Sequence, residues 1–173
     1  MALLLKLYGR LRLTVNTTKS AVASVFQRKF LGYSFWVAAR GAIKRRVADK
    51  PMAVFKQRVR RLTRRSLGRS LEETGSKLRV YVLGWKAYFR LADTPGVWSD
   101  LDKWIRHRMR AIQIKHWKRS STIHWELLVR GAPTNVAVKG ADNSRRRWRN
   151  SRMLLNSVLN LAWADQLGIP RLC

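Results

Sequence analysis

Residues 81 to 119, YVLGWKAYFRLADTPGVWSDLDKWIRHRMRAIQIKHWKR, form two amphipathic segments set back to back. In the first, Leu78, Val82, Trp85 and Phe89 recur at helical spacing, and Tyr81 and Tyr88 widen the apolar face. In the second, Leu101, Ile105, Met109, Ile112 and His116 share one stripe, and the spacing sets Lys103, Arg106, Arg110 and Trp117 on the opposite side. Thr94-Pro95 between them has the chemistry of a helix start, because proline in a first turn needs no amide partner. A helix with an apolar stripe has to bury it against another element, so this string dictates a helical bundle.

A third helix is predicted from Pro51, with Met52, Phe55, Val59 and Leu62 on its apolar side and Arg58, Arg60, Arg61, Arg64 and Arg65 over the rest. Ser70 and Glu73 have capping-box spacing and open the helix that carries Leu78 to Phe89, with a break expected near Gly75. Upstream, Leu3 to Gly9 reads as the end of a helix. Leu11, Leu13 and Val15 alternate as a strand does, and Asn16-Thr17-Thr18 is turn chemistry. Lys29 to Val37 and Ile43 to Val47 read as the two strands of a hairpin, with Gly32 marking a bulge or a close backbone approach. So few strands need support, either from chain upstream or from the helices that follow. Residues 119 to 150, punctuated by Gly131, Pro133, Gly140 and Asn143, read as looser, with Trp125, Leu127 and Leu128 docking on the bundle. A last helix is expected from a Ser151 cap to about Leu167, with Leu154, Leu155, Val158, Leu159 and Ala162 apolar; Gly168 and Pro170 stop it. The expected fold is mainly α: a three-helix bundle, an N-terminal β-hairpin and one extra C-terminal helix.

Charge narrows the function. Of 173 residues, 37 are Lys or Arg and 9 are Asp or Glu, a formal charge of +28, and no acid precedes Asp49. A compact fold with that charge repels itself unless an anion neutralises it, which points to nucleic acid phosphates or an anionic membrane surface. Arginine, favoured in most of the basic clusters, suits forked phosphate contacts and stacking on bases. An apolar content of 46% argues against a disordered basic tail. No apolar run has the length of a membrane-spanning helix, and no membrane partner is expected. Cys173 is the single cysteine, so an intramolecular disulfide is impossible and a reducing, cytoplasmic compartment is expected. The opening MALLLKLYGRLRL is basic and amphipathic but lacks the serine-rich composition of a transit peptide.

Six words in order carry a family resemblance: LRLTVNTTKS (11 to 20), RKFLGYSF (28 to 35), RVRRLTRRSLGRSLEE (58 to 73), YVLGWKAYF (81 to 89), LDKWIRHRMRAIQIKHWKR (101 to 119) and RMLLNSVLNLAWADQLGIPRL (152 to 172). Over nearly its whole length the chain resembles the C-terminal third of bacterial group II intron-encoded reverse transcriptases. The resemblance implies three regions: residues 1–48 as the end of a palm, 51–119 as the thumb or maturase-specific region (domain X), and 120–173 as a C-terminal extension. It also implies binding to group II intron RNA or to an RNA/DNA duplex, in support of splicing and retrotransposition, in a bacterial cytoplasm.

The chain departs from that family's pattern at the polymerase centre. The Tyr-Ala-Asp-Asp box expected just upstream of the first word is absent, and the first aspartate is Asp49. Two-metal phosphoryl transfer needs carboxylates to hold the metal pair, so no catalytic residue is assigned. No cofactor is expected for this chain, Mg2+ being required only by a complete polymerase. His107, His116 and His124 lack a ligand spacing, so no metal site is assigned, and Ser120, Ser121 and His124 form no nucleophile arrangement. The chain reads as a truncated or split copy, with a separately encoded palm fragment as a candidate partner.

The candidate RNA-binding residues are Arg58, Arg61, Arg64, Arg65, Lys103, Arg106, Arg110, Lys115, Trp117, Lys118, Arg145, Arg146, Arg147 and Arg149. Basic runs without compensating acids favour phosphate contact over a merely solvated face. Trp117 and Trp148 are flanked by charge and are candidates for base stacking, whereas Trp85, Tyr88 and Phe89 have core spacing. Lys19 matches the position of a palm lysine near the incoming nucleotide; a solvated turn lysine is the competing reading. Rival functions are the C-terminal piece of a split RNA-directed DNA polymerase, a generic basic RNA-binding protein, and a remnant without function.

Overall fold

The computed structural model describes residues 2–16, 18–66, 68–153 and 155–173. Thr17 of the expected turn and Leu154 of the expected last helix lie outside the described residues. Helix α1 spans Ala2–Arg10, and a hairpin of β1 (Tyr33–Val37) and β2 (Ile43–Val47) follows. The bundle comprises α2 (Asp49–Leu62), α3 (Leu71–Tyr88) and α4 (Pro95–Trp117). Beyond it lie α5 (Ser120–Val129), α6 (Thr134–Asp142), α7 (Arg147–Met153) and α8 (Leu161–Gln166). The fold is mainly α with an N-terminal β-hairpin, as the periodicity predicts.

The three long helices form where their stripes and caps place them. Ser70 Oγ accepts the amide of Glu73 at 3.0 Å, closing the N-terminus of α3. Phe55 and Val59 from α2, Leu78 and Val82 from α3, and Leu101, Ile105, Met109 and Ile112 from α4 meet in one buried core. Phe55 lies 4.1 Å from Trp85 and 5.6 Å from Tyr81 between ring centroids, so Trp85 packs half-buried against the core and Phe89 is buried in it, as their spacing predicts, whereas Tyr88 is exposed. A second cluster gathers Ile114 and Trp117 from the end of α4, Ile123 and Leu127 from α5, Ala137 from α6, and Leu155 and Leu159. Trp163 packs against both clusters and joins them.

The hairpin is held by the helices rather than by further strands. Its register pairs Tyr33 with Val47 and Phe35 with Arg45. Tyr33 donates its hydroxyl to the Tyr88 carbonyl at 2.8 Å, and Tyr88 donates its own to the Leu31 carbonyl at 3.1 Å. The Arg45 backbone amide and guanidinium Nε both donate to Asp93 Oδ2, at 3.0 and 3.1 Å. Gly32 has φ +81°, and a Cβ there would sit 3.2 Å from the Phe89 ring, so its role is the close approach.

Several expectations are corrected. Residues 11–16 are turn and coil, with Leu11 and Leu13 exposed, because among the described residues no strand pairs with them. Helix α3 does not break at Gly75; a Cβ there would lie 2.5 Å from the Leu167 carbonyl oxygen, so the glycine admits the returning C-terminal segment. Residues 120–142 hold two helices, α5 and α6, rather than loose chain, and Trp125 is exposed rather than docked. The single last helix is instead α7 and α8, separated by a turn, and Ser151 lies inside α7. The stop at Gly168 holds, with φ +67°.

Candidate nucleic-acid interface

Helices α2 and α4 lie side by side, and of the charged residues that line the seam between them all but Asp100 are cationic. At one end Met52, Lys56 and Arg60 from α2 face Val97, Asp100, Leu101 and Trp104 from α4 across a depression of about 390 Å3. At the other end, Arg64, Arg65 and Arg69 from the α2–α3 connection meet Lys115 and His116 from α4, and Lys118 just past its end, around a pocket of about 320 Å3. Among its described lining residues none is acidic.

Arg108 ties the two ends together. Its Nε donates to Thr63 Oγ1 at 2.5 Å and its Nη2 to the Arg60 and Thr63 carbonyls at 3.4 Å each. These are last-turn carbonyls of α2, which a cation satisfies well. Lys115 closes the seam further along by donating to the Arg65 carbonyl at 2.5 Å. Both Arg60 and Arg108 lie over the Trp104 ring, their guanidinium carbons 5.7 and 5.4 Å from its centroid.

Positive charge crowds the seam and the adjoining face of α4, although Arg69 pairs with Glu73 at 3.5 Å. Burial lowers the Arg108 pKa, and the charges of Arg60 and Arg65 lower it further. Burial pulls Arg110 down to about 10, with Arg106 adding to the effect. His107 is held below its ordinary value, first by burial and then by Arg110, Arg152 and Arg108, against the opposing hydrogen bond to the Trp148 carbonyl. Positive groups that crowd and depress one another gain when a phosphate arrives.

The sequence-derived candidates divide. Arg64, Arg65, Lys115 and Lys118 come together in the seam pocket. Arg58 and Arg61 are exposed on α2, Lys103 is exposed on α4, and Arg106 is half-buried. Arg145, Arg146 and Arg149 are exposed at and before α7, and Arg147 is half-buried. Lys19 is exposed in a turn organised by Asn16 Oδ1, which accepts its backbone amide at 3.1 Å. Two placements are corrected. Arg110 does not project to solvent: it is buried and donates through Nη1 to the Ser151 carbonyl at 3.1 Å, because α7 covers that face of α4. Trp117 is buried in the second core, covered by α5 and α6, with Arg130 over its ring. Arg108, Trp104 and Arg69 were missed; the signal available was the one-turn spacing of Trp104 and Arg108.

Among the described residues no helix is long and apolar enough to cross a membrane. No curated protein matches the chain. Residues 52–131 match the family model described as Group II intron, maturase-specific domain, a span from the first turns of α2 to just past α5 that contains the whole seam. Over residues 52–131, a little under half of its length, the chain is therefore similar to the group II intron maturase-specific domain.

Proposed function

We propose that the chain binds group II intron RNA along the α2–α4 seam and, as a maturase-specific domain, supports the folding of that RNA for splicing. The observation that carries this is the convergence of Arg64, Arg65, Arg69, Lys115 and Lys118 on one acid-free pocket inside the matched family span. Cations there displace counterions from phosphates, and the shape of a folded RNA decides how many phosphates they reach at once. Arg108 and Lys115 hold the two sides of the seam through backbone carbonyls, so its geometry is set before RNA arrives.

The test is the full chain carrying Arg64→Gln, Arg65→Gln and Lys118→Gln together. Its affinity for a structured group II intron RNA should fall at least tenfold at moderate salt, with helicity by circular dichroism unchanged. Unchanged affinity would place the RNA surface elsewhere.

A further inference from the structure

The seam explains phosphates, but a second feature joins the α4 face inside the matched family span to residues of α7 beyond it. Between α4 and α7 is a cleft of about 460 Å3, a size suited to a small ligand, lined by Lys103, Trp104, His107, Arg110, Trp148 and Arg152. Asp100 also lines it and pairs with Lys103 at 3.5 Å, both side chains being well exposed.

Three properties of this cleft fit one chemistry. Trp148 is 43% exposed yet held firmly: its ring lies 3.7 Å from the His107 ring, its carbonyl bonds His107 Nε2 at 2.8 Å, and Arg108 sits over it at 5.9 Å. An exposed indole fixed in this way is a platform for a planar group. Arg110 is only 5% exposed, and its Nε finds no acceptor among the described residues. A buried N–H without a partner is costly, and a small shift of the Arg110 side chain toward a ligand acceptor in the cleft would remove that cost. Arg152 adds an exposed cation to the lining.

We propose that this cleft is a subsite for one unpaired nucleotide of RNA. The base stacks on Trp148, its acceptor edge takes the Nε–H of Arg110, and the adjoining phosphate lies against Arg152. The proposal rests on the reading that the chain binds RNA, and adds that one strand region must be unpaired, since a base inside an A-form helix cannot reach such a cleft. The seam follows backbone; the cleft takes a base.

Two RNAs test it with the full chain: a fully paired duplex, and the same duplex with a single-stranded extension containing one 5-iodouridine. Irradiation should crosslink the iodouridine to Trp148, as mapped by mass spectrometry. Trp148→Ala should weaken binding of the extended RNA about five- to hundredfold, the range for loss of one stacked base, and leave the duplex unaffected. Trp148→Phe should retain most of the affinity, which separates stacking from a disturbed α7. Equal losses on both RNAs, or no loss on either, would overturn the subsite while leaving the seam intact. Failure of the unsubstituted chain to bind either RNA would overturn both readings.

Discussion

Arg108 on α4 donates its Nε to Thr63 Oγ1 at 2.5 Å, and Thr63 in turn donates that hydroxyl to the Val59 carbonyl at 2.6 Å. One guanidinium thus closes the end of α2 and fixes where the α2–α3 connection begins. Arg108→Ala removes these bonds and leaves buried Thr63 with a lost donor. It should cost about 1–3 kcal/mol of stability in urea denaturation. Arg108→Lys should recover only part, because an ammonium cannot reproduce the forked contacts to Thr63 and Arg60.

Asp102 is a second pin. Buried on α4, its carboxylate accepts the Leu172 amide at 2.9 and 3.0 Å and the Cys173 amide at 3.3 Å, drawing the C-terminal segment onto the core. Asp102→Ala should destabilise the fold by about 2–3 kcal/mol. Hydrogen exchange at the Leu172 amide should accelerate well beyond the global change, because the tail loses its anchor first.

Two glycines of α3 should respond in opposite directions. Gly84 is exposed, and an added Cβ meets nothing within 4 Å, so Gly84→Ala should stabilise by about 0.5–1 kcal/mol through helix propensity. Gly75 faces the Leu167 carbonyl oxygen at 2.5 Å from a Cβ, and backbone cannot swing aside as a side chain does. Gly75→Ala should therefore destabilise by about 1–3 kcal/mol, despite the same gain in propensity. Thermal unfolding of the two variants against the parent checks the contrast.

His107 gives the fold a pH response. Its folded pKa lies below the ordinary 6.5, so in the window between the two values the unfolded chain binds the proton and the folded chain does not. Stability should fall as pH drops through about 6.5 and level off below the folded pKa. The carboxylates with lowered pKa values, Glu72, Glu73, Asp93 and Asp165, act at lower pH, below about 4.5. Denaturation midpoints between about pH 5 and 7 should slope in the parent and flatten in His107→Gln.

The sequence revealed the long helices because each carries its own apolar stripe and start signal: Ser70 before Glu73, Pro95 after Thr94, Pro51 in the first turn of α2. It hid α5 and α6 because their glycines and proline look like breakers. Gly131 does end α5, with φ +78°, and Pro133 precedes α6. Gly140, however, sits inside α6, where a Cβ would lie 2.6 Å from Leu127 Cδ1, so it serves helix packing. Arg110 and Trp117 were misplaced for a related reason. Helix α4 is covered on further sides by α5, α6 and α7, and a single stripe does not disclose partners that arrive later in the chain. The basic residues were all visible, but which of them converge was not: Arg64 and Lys118 meet only through the docking of α4 beside the end of α2.

The central claim, that the cationic seam binds structured RNA through phosphates, is tested most directly by the salt dependence of binding. Contact with roughly six to ten phosphates should lower affinity about a thousandfold or more between ~50 and ~200 mM monovalent salt. The Arg64→Gln, Arg65→Gln, Lys118→Gln variant should show a shallower log–log slope by about two to three. An affinity that stays flat across that range, or a variant slope equal to the parent's, would contradict it.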